Sequence, residues 1–218
     1  TLFLAGHETT ALALVHALYL LARHPEIDAR FHDEVTAVLG PPGPASAPSL
    51  SPSPAPPALP ACDAVARLDL TRRILDEAMR LYPPAWATAR EVQRPFELRG
   101  RRFEPGVQLV ISQWVLHRDP RWFPDPERFD PDRWLPARAT TTPRMAYLPF
   151  GGGPRICIGN HFALTEAVLV LARIGQRFRV TVPPGAALAF HPSITLRPQG
   201  SGLCGRVIAR PGPRSAVV

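Results

Sequence analysis

The chain has 218 residues, enough for one domain with a substantial core, and its 45% apolar against 20% charged composition excludes a disordered chain. All 25 basic residues are arginine, spread along the chain rather than gathered into a groove with interleaved aromatics, so the formal charge of +7 does not point to nucleic acid. Cys62, Cys157 and Cys204 are too few and too scattered for a disulfide framework or a zinc finger.

Residues 1–23 read as a helix rich in Leu and Ala, ended by the His24-Pro25 step. His7, Glu8, Thr9, Thr10 and His16 interrupt its apolar run, which falls short of the ~20 residues a membrane span needs, so no span is expected. The chain opens on Thr1 inside this helix, and the expectation is that an N-terminal part is missing, with any leader or anchor. Pro25 opens a second helical pattern carrying Ile27, Phe31, Val35, Val38 and Leu39, and Gly40 stops it. Residues 41–60 contain only Pro, Ala, Ser, Gly and Leu; such a stretch builds no core and predicts an insertion running over the surface.

Residues 63–82 resume a helix, with Val65, Leu68, Ile74, Leu75, Met79 and Leu81 on its apolar face, and Pro83-Pro84 ends it. Short strands are expected within 85–116, at 96–98, 102–103 and 107–111, the last following a Pro105-Gly106 turn. Residues 117–149 carry little periodicity and many turn residues. A Gly-rich loop at 150–159 leads into an apolar helix at 160–178, and the tail offers strand-like pieces at 179–182 and 193–196.

The chemistry concentrates in Phe150–Gly159, reading FGGGPRICIG. Glycines let the backbone approach a large flat ligand without an intervening side chain. Cys157 stands just before a helix N-terminus, where unpaired amides stabilise a thiolate. Ile156 and Ile158 flank it and would be expected to keep water away. A lone buried cysteine is ordinarily a small hydrophobe; the ten-residue string as a whole is much more specific.

Three further segments follow the same pattern of local sense. Ala5-Gly6-His7-Glu8-Thr9-Thr10 breaks an apolar helix with polar residues while removing side-chain bulk, and a Thr hydroxyl there can bond back to the preceding turn. Glu77 and Arg80 are three apart on a helix and face one another. Arg128, in Pro126-Glu127-Arg128-Phe129, offers a second guanidinium that could pin the irregular stretch to Glu77.

Together these segments are similar to the motifs of the cytochrome P-450 family: its cysteine loop, its oxygen-activating helix motif, its E-x-x-R motif and its P-E-R-F motif, in the family's order. The resemblance spans residues 5 to 159 and implies a mainly α fold with small β-sheets. The chain would be the C-terminal part of the cytochrome P-450 fold, starting inside the long distal helix. Residues 1–218 would form a partial domain carrying the 41–60 insertion.

The resemblance further implies haem b as cofactor, with Cys157 as axial ligand of the iron. Arg155, Arg90 and His117 would meet the haem propionates. Phe150, Gly151, Gly159 and Ala163 would pack on the proximal side, and Ala5 and Gly6 would leave room for dioxygen on the distal side. Thr9 would order a proton-delivering water and Glu8 would relay protons. Glu77, Arg80 and Arg128 would form a structural lock, and Pro84–Thr88 would line the substrate pocket, with Trp86 the bulkiest member. The implied activity is a monooxygenase acting on a small apolar organic substrate. Its electrons would come from a ferredoxin, flavodoxin or reductase, in a cytoplasmic, bacterial-like setting. The alternative is a truncated or degenerate haem-binding fragment without turnover.

Overall fold

The computed structural model describes residues 2–41, 62–139, 142–199 and 204–210, and for Leu2, Phe3, Leu4, Cys62 and Ala139 the backbone alone. The 41–60 insertion lies outside the described residues from position 42 onward.

Four helices make the core. Helix α1 (Leu2–Arg23) and α2 (Pro25–Leu39) are separated by His24, because Pro25 takes the first position of α2 and keeps the residue before it out of the helical conformation. Gly40 closes α2 at φ +77°, a conformation that favours glycine, with its amide bonded to Thr36 O at 2.9 Å. The expected helix over 63–82 is broken at Leu68 into α3 (Cys62–Arg67) and α4 (Asp69–Leu81). The Glu34 carboxylate of α2 caps α4 from outside: it accepts from the amides of Leu70 (2.6 Å) and Thr71 (2.8 Å). That satisfies donors every helix N-terminus leaves open. With α7 (Asn160–Arg177), helices α1, α2 and α4 bury Ala17, Leu20, Phe31, Ile74, Leu75 and Leu171 against one another.

The strands form two-stranded antiparallel ladders. Strand β1 (Ala87–Glu91) pairs with β4 (Gln108–Ser112), Ala87 opposite Ser112, and β2 (Phe96–Leu98) pairs with β3 (Arg101–Phe103). Between β3 and β4, Gly106 sits at φ +88° after Pro105, and Val107 N bonds Glu104 O at 3.3 Å, the turn the Pro-Gly step predicts. Ser112 then caps a single helical turn, α5 (Gln113–Leu116). The irregular stretch holds a 3₁₀ turn, Pro131–Trp134, capped by Asp130, and a short α6 (Pro136–Ala139).

In the tail, β5 (Phe178–Thr181) pairs with β8 (Arg206–Ala209), and β6 (Phe190–Pro192) with β7 (Leu196–Pro198). The expected strand at 193–196 is mostly a turn: Ser193–Thr195 joins β6 to β7, and Ile194 at its tip is 93% exposed. The alternation of Ile194 and Leu196 imitates a strand, but only Leu196 packs inward. Among the described residues, no helix is long and apolar enough to cross a membrane.

Candidate functional site

A cavity of about 630 Å³ opens between α1 and the loop that precedes α7. One wall is α1, through Ala5, Gly6, Thr9, Thr10 and Ala13; the facing wall is Phe150, Gly151, Cys157, Gly159 and Ala163. Pro84, Ala85, Ala87, Thr88 and Arg90 close one side as the chain leaves α4 and enters β1, with Leu75 and Met79 of α4 behind them.

The α1 wall has a hydrogen-bonding pattern its sequence foreshadows. Thr9 Oγ1 donates to Ala5 O at 2.9 Å and Thr10 Oγ1 to Gly6 O at 3.1 Å, each bonding back one turn. An ideal Cβ on Gly6 would meet nothing within 4 Å, so that part of the wall faces open space.

The facing wall is set by backbone conformation. Gly151 and Gly153 both have positive φ, 73° and 71°, which bends the loop where side chains would strain it. A 3₁₀ turn at Gly153–Arg155 follows, and Cys157 N then donates to Phe150 O at 3.0 Å, folding the loop back on itself. Cys157 is therefore held three residues before α7 begins, with an exposed thiol. Ile158, 89% exposed, and Phe162, 75% exposed, project into the same cavity.

Two cations border the cavity, Arg90 and Arg155. Arg90 Nη1 donates to Thr88 Oγ1 (2.9 Å) and Ala89 O (2.8 Å). Neither arginine pairs with a carboxylate among the described residues.

Behind the site lies a buried lock. Glu77 and Arg80 are both fully buried, and Arg80 grips the carboxylate with two hydrogen bonds of 2.8 Å. Arg80 also donates to the carbonyls of His117 (3.0 Å), Pro126 (2.7 Å) and Arg128 (3.1 Å), which ties the irregular stretch to α4. Glu77 further accepts from Trp134 Nε1 (3.0 Å), Asp130 N (3.1 Å) and Arg133 Nε (3.4 Å). The second guanidinium on Glu77 is thus Arg133, not Arg128, whose side chain is exposed and whose contribution is its carbonyl. The turn capped by Asp130 aims Arg133 and Trp134 inward, and no sequence spacing signals which arginine does so.

Two more expectations are corrected. His117 does not border the cavity: it is fully buried, and its Nε2 accepts from Leu148 N at 2.8 Å. Burial lowers its pKa to about 4, so it stays neutral and is no partner for an anion. Trp86 also turns away from the cavity, its Nε1 donating to Ser193 O at 2.8 Å, while its neighbours Ala85 and Ala87 line the wall. Glu8, next to Thr9, does not line the cavity either; its carboxylate is taken by Arg197 and Thr195 of the β6–β7 hairpin.

The comparisons with known proteins agree on one family. The family model described as Cytochrome P450 matches residues 1–204. The chain is 47% identical over 196 residues to cyclooctatin synthase of Streptomyces melanosporofaciens, covering 90% of this chain and 39% of that protein. It is 40% identical over 200 residues to pentalenene oxygenase of Streptomyces avermitilis, covering 88% of this chain and 41% of that one. Among solved structures it superposes on the P450DA heme domain with a TM-score of 0.81 at 36% identity, over 96% of this chain and 43% of that chain. The chain therefore spans about two fifths of the length of the relatives it matches.

Proposed function

This chain belongs to the cytochrome P450 family, and on that footing we propose that it is the haem-binding part of a haem-thiolate monooxygenase. The observation that carries the proposal is the cavity itself, which sets the Cys157 thiol and two guanidiniums without carboxylate partners against a wall of Ala5, Gly6 and Thr9.

The donor set fits an iron porphyrin. Among the described residues, no cluster of three or more His, Cys, Asp or Glu could hold a bare metal ion. A macrocycle that brings its own equatorial nitrogens needs a single protein ligand, which Cys157 supplies. The exposed faces of Ile158 and Phe162 fit a broad apolar disc. Arg90 and Arg155 fit its two carboxylates by charge-assisted hydrogen bonding. Haem b is thus the cofactor we propose; Phe150, Gly151, Gly159 and Ala163 would hold it on the wall that carries Cys157, and Ala5 and Gly6 would face it across the cavity.

When bound, the haem supplies activation of dioxygen and delivery of one oxygen atom to the substrate. The protein supplies the rest. Cys157, as a thiolate, would ligate the haem iron and push electron density onto it. Gly6 keeps the opposite wall clear of side chains. Thr9 commits its hydroxyl proton to Ala5 O, so Oγ1 is left as an acceptor that can orient a water in the cavity. Glu8, one residue away, relays protons from solvent. Pro84, Ala85, Ala87 and Thr88 present a small-residue wall suited to a bulky apolar substrate. The names of the relatives, cyclooctatin synthase and pentalenene oxygenase, fit a compact cyclic hydrocarbon. Electrons come from an acidic ferredoxin, flavodoxin or reductase, to which a net charge of +7 is complementary.

The test is isotopic. The haem-loaded protein, supplied with ferredoxin, reductase and a cyclic terpene hydrocarbon under labelled dioxygen, is expected to yield an alcohol carrying one labelled oxygen. An alcohol whose oxygen is unlabelled, and so comes from water, would contradict a monooxygenase.

A further inference from the structure

Two methionines stand in the chain, and the fold treats them oppositely. Met79 is buried on α4, whereas Met145 is 59% exposed in the 3₁₀ turn Arg144–Ala146. The chain just after Met145 is anchored. Ala146 is buried and its amide donates to Pro143 O at 2.8 Å, and the Tyr147 hydroxyl donates to Asp76 O at 2.9 Å. The thioether is thereby laid over the loop that carries Cys157. An ideal Cβ on Gly152 would meet Leu148 Cδ2 at 3.2 Å, Met145 Cε at 3.3 Å and Met145 Sδ at 3.7 Å. Gly152 lies between Gly151 and Gly153, the two positive-φ bends of that loop. Met145 therefore packs on the loop's middle glycine while much of its surface stays open to solvent.

We propose that Met145 is a modification site for peroxides, and that its sulfoxide loosens the loop holding Cys157. Sδ attacks one oxygen of hydrogen peroxide or of an organic hydroperoxide. An S–O bond forms as the O–O bond breaks, and the sulfur gives up two electrons. The proton of the transferred oxygen passes to the leaving oxygen, which departs as water or an alcohol. The product is polar, and bulkier by one atom at the point where the thioether meets Gly152. It turns out toward water, and the apolar cover over the glycine is lost. Methionine sulfoxide reductase reverses the change. The exposed thiols of Cys157 and Cys204 leave a different trace, because a sulfenic acid or disulfide is undone by dithiothreitol and a methionine sulfoxide is not.

The test maps sulfoxides by peptide mass spectrometry after a short exposure to hydrogen peroxide and then to dithiothreitol. The haem-loaded protein is exposed in its reduced, carbon monoxide-bound form, which blocks the iron, and the haem-free chain in parallel. Met145 is expected to oxidise roughly tenfold faster than Met79, following their exposures of 59% and 5%, and the two rates to converge in urea. Hydrogen exchange at residues 150–157 is expected to rise several-fold on oxidation and to return with methionine sulfoxide reductase. Met145→Leu is expected to show no such rise under peroxide. Met145→Gln, of similar length with a polar amide, is expected to show it without peroxide. Equal oxidation of Met145 and Met79 in the folded protein overturns the site. Selective oxidation with unchanged exchange at 150–157, or with the same rise in Met145→Leu, overturns its hold on the loop. Failure to bind haem through a thiolate contradicts the proposed function, and the haem-free arm still decides Met145.

Discussion

Glu77 is a carboxylate with no access to water whose two oxygens accept from Arg80, Arg133, Trp134 and the Asp130 amide. Its removal strands two buried guanidiniums, a loss on the order of 3–5 kcal/mol when a buried pair is broken from one side. Glu77→Ala is therefore expected to lower the urea midpoint steeply, whereas Arg128→Ala, which spares the Arg128 carbonyl, is expected to change it little. Equal losses in the two variants would contradict the assignment of Arg133. The sequence showed half of this lock. Glu77 and Arg80 are neighbours by helical spacing, a local rule, but Arg133 reaches Glu77 across 56 positions through a turn whose direction no periodicity encodes. Cys157 was legible for the opposite reason: its conformation is written locally, in glycines at the positive-φ positions of its loop.

At the level of elements, α2 and α7 cross so closely that Gly175 is obligatory. A Cβ there would fall inside the Phe31 ring, and Gly175 O bonds His32 Nδ1 at 3.2 Å. Gly175→Ala is expected to destabilise the chain by about 1–3 kcal/mol, as overpacking of a tight core does. Pairing it with Phe31→Leu is expected to recover part of that loss in a double-mutant cycle, and additive losses would show that the contact is not the cause. Helical periodicity located α1, α2 and α7 to within a residue of their ends. It missed the break at Leu68, because Leu68 is itself fully buried and continues the apolar face across the gap between α3 and α4. It also misread the 193–196 turn, where two apolar residues alternate without sharing a buried face.

Across the whole molecule, two buried histidines set a pH dependence. His16 donates from Nδ1 to Tyr82 O at 3.0 Å, and burial lowers its pKa, like that of His117, to about 4 from 6.5. Each group is neutral when folded and gains a proton when unfolded below its ordinary value. The stability they contribute is thus complete above pH ~6.5 and is lost as pH falls toward ~4, on the order of 3 kcal/mol per histidine. Chemical denaturation at pH 8 and pH 5 is expected to show part of that loss, about 2 kcal/mol per histidine, with a smaller one in His117→Gln; a flat profile would mean that these rings are as readily protonated in the fold as in the unfolded chain. The fold, the lock and the loop all converge on one sulfur atom facing one cavity. The absorption spectrum of the haem-loaded protein, reduced and exposed to carbon monoxide, tests that convergence most directly. A strongly red-shifted Soret band, lost in Cys157→Ala, is the predicted result. An unshifted band, or a shifted one that survives Cys157→Ala, would contradict ligation by Cys157 and with it the proposed monooxygenase.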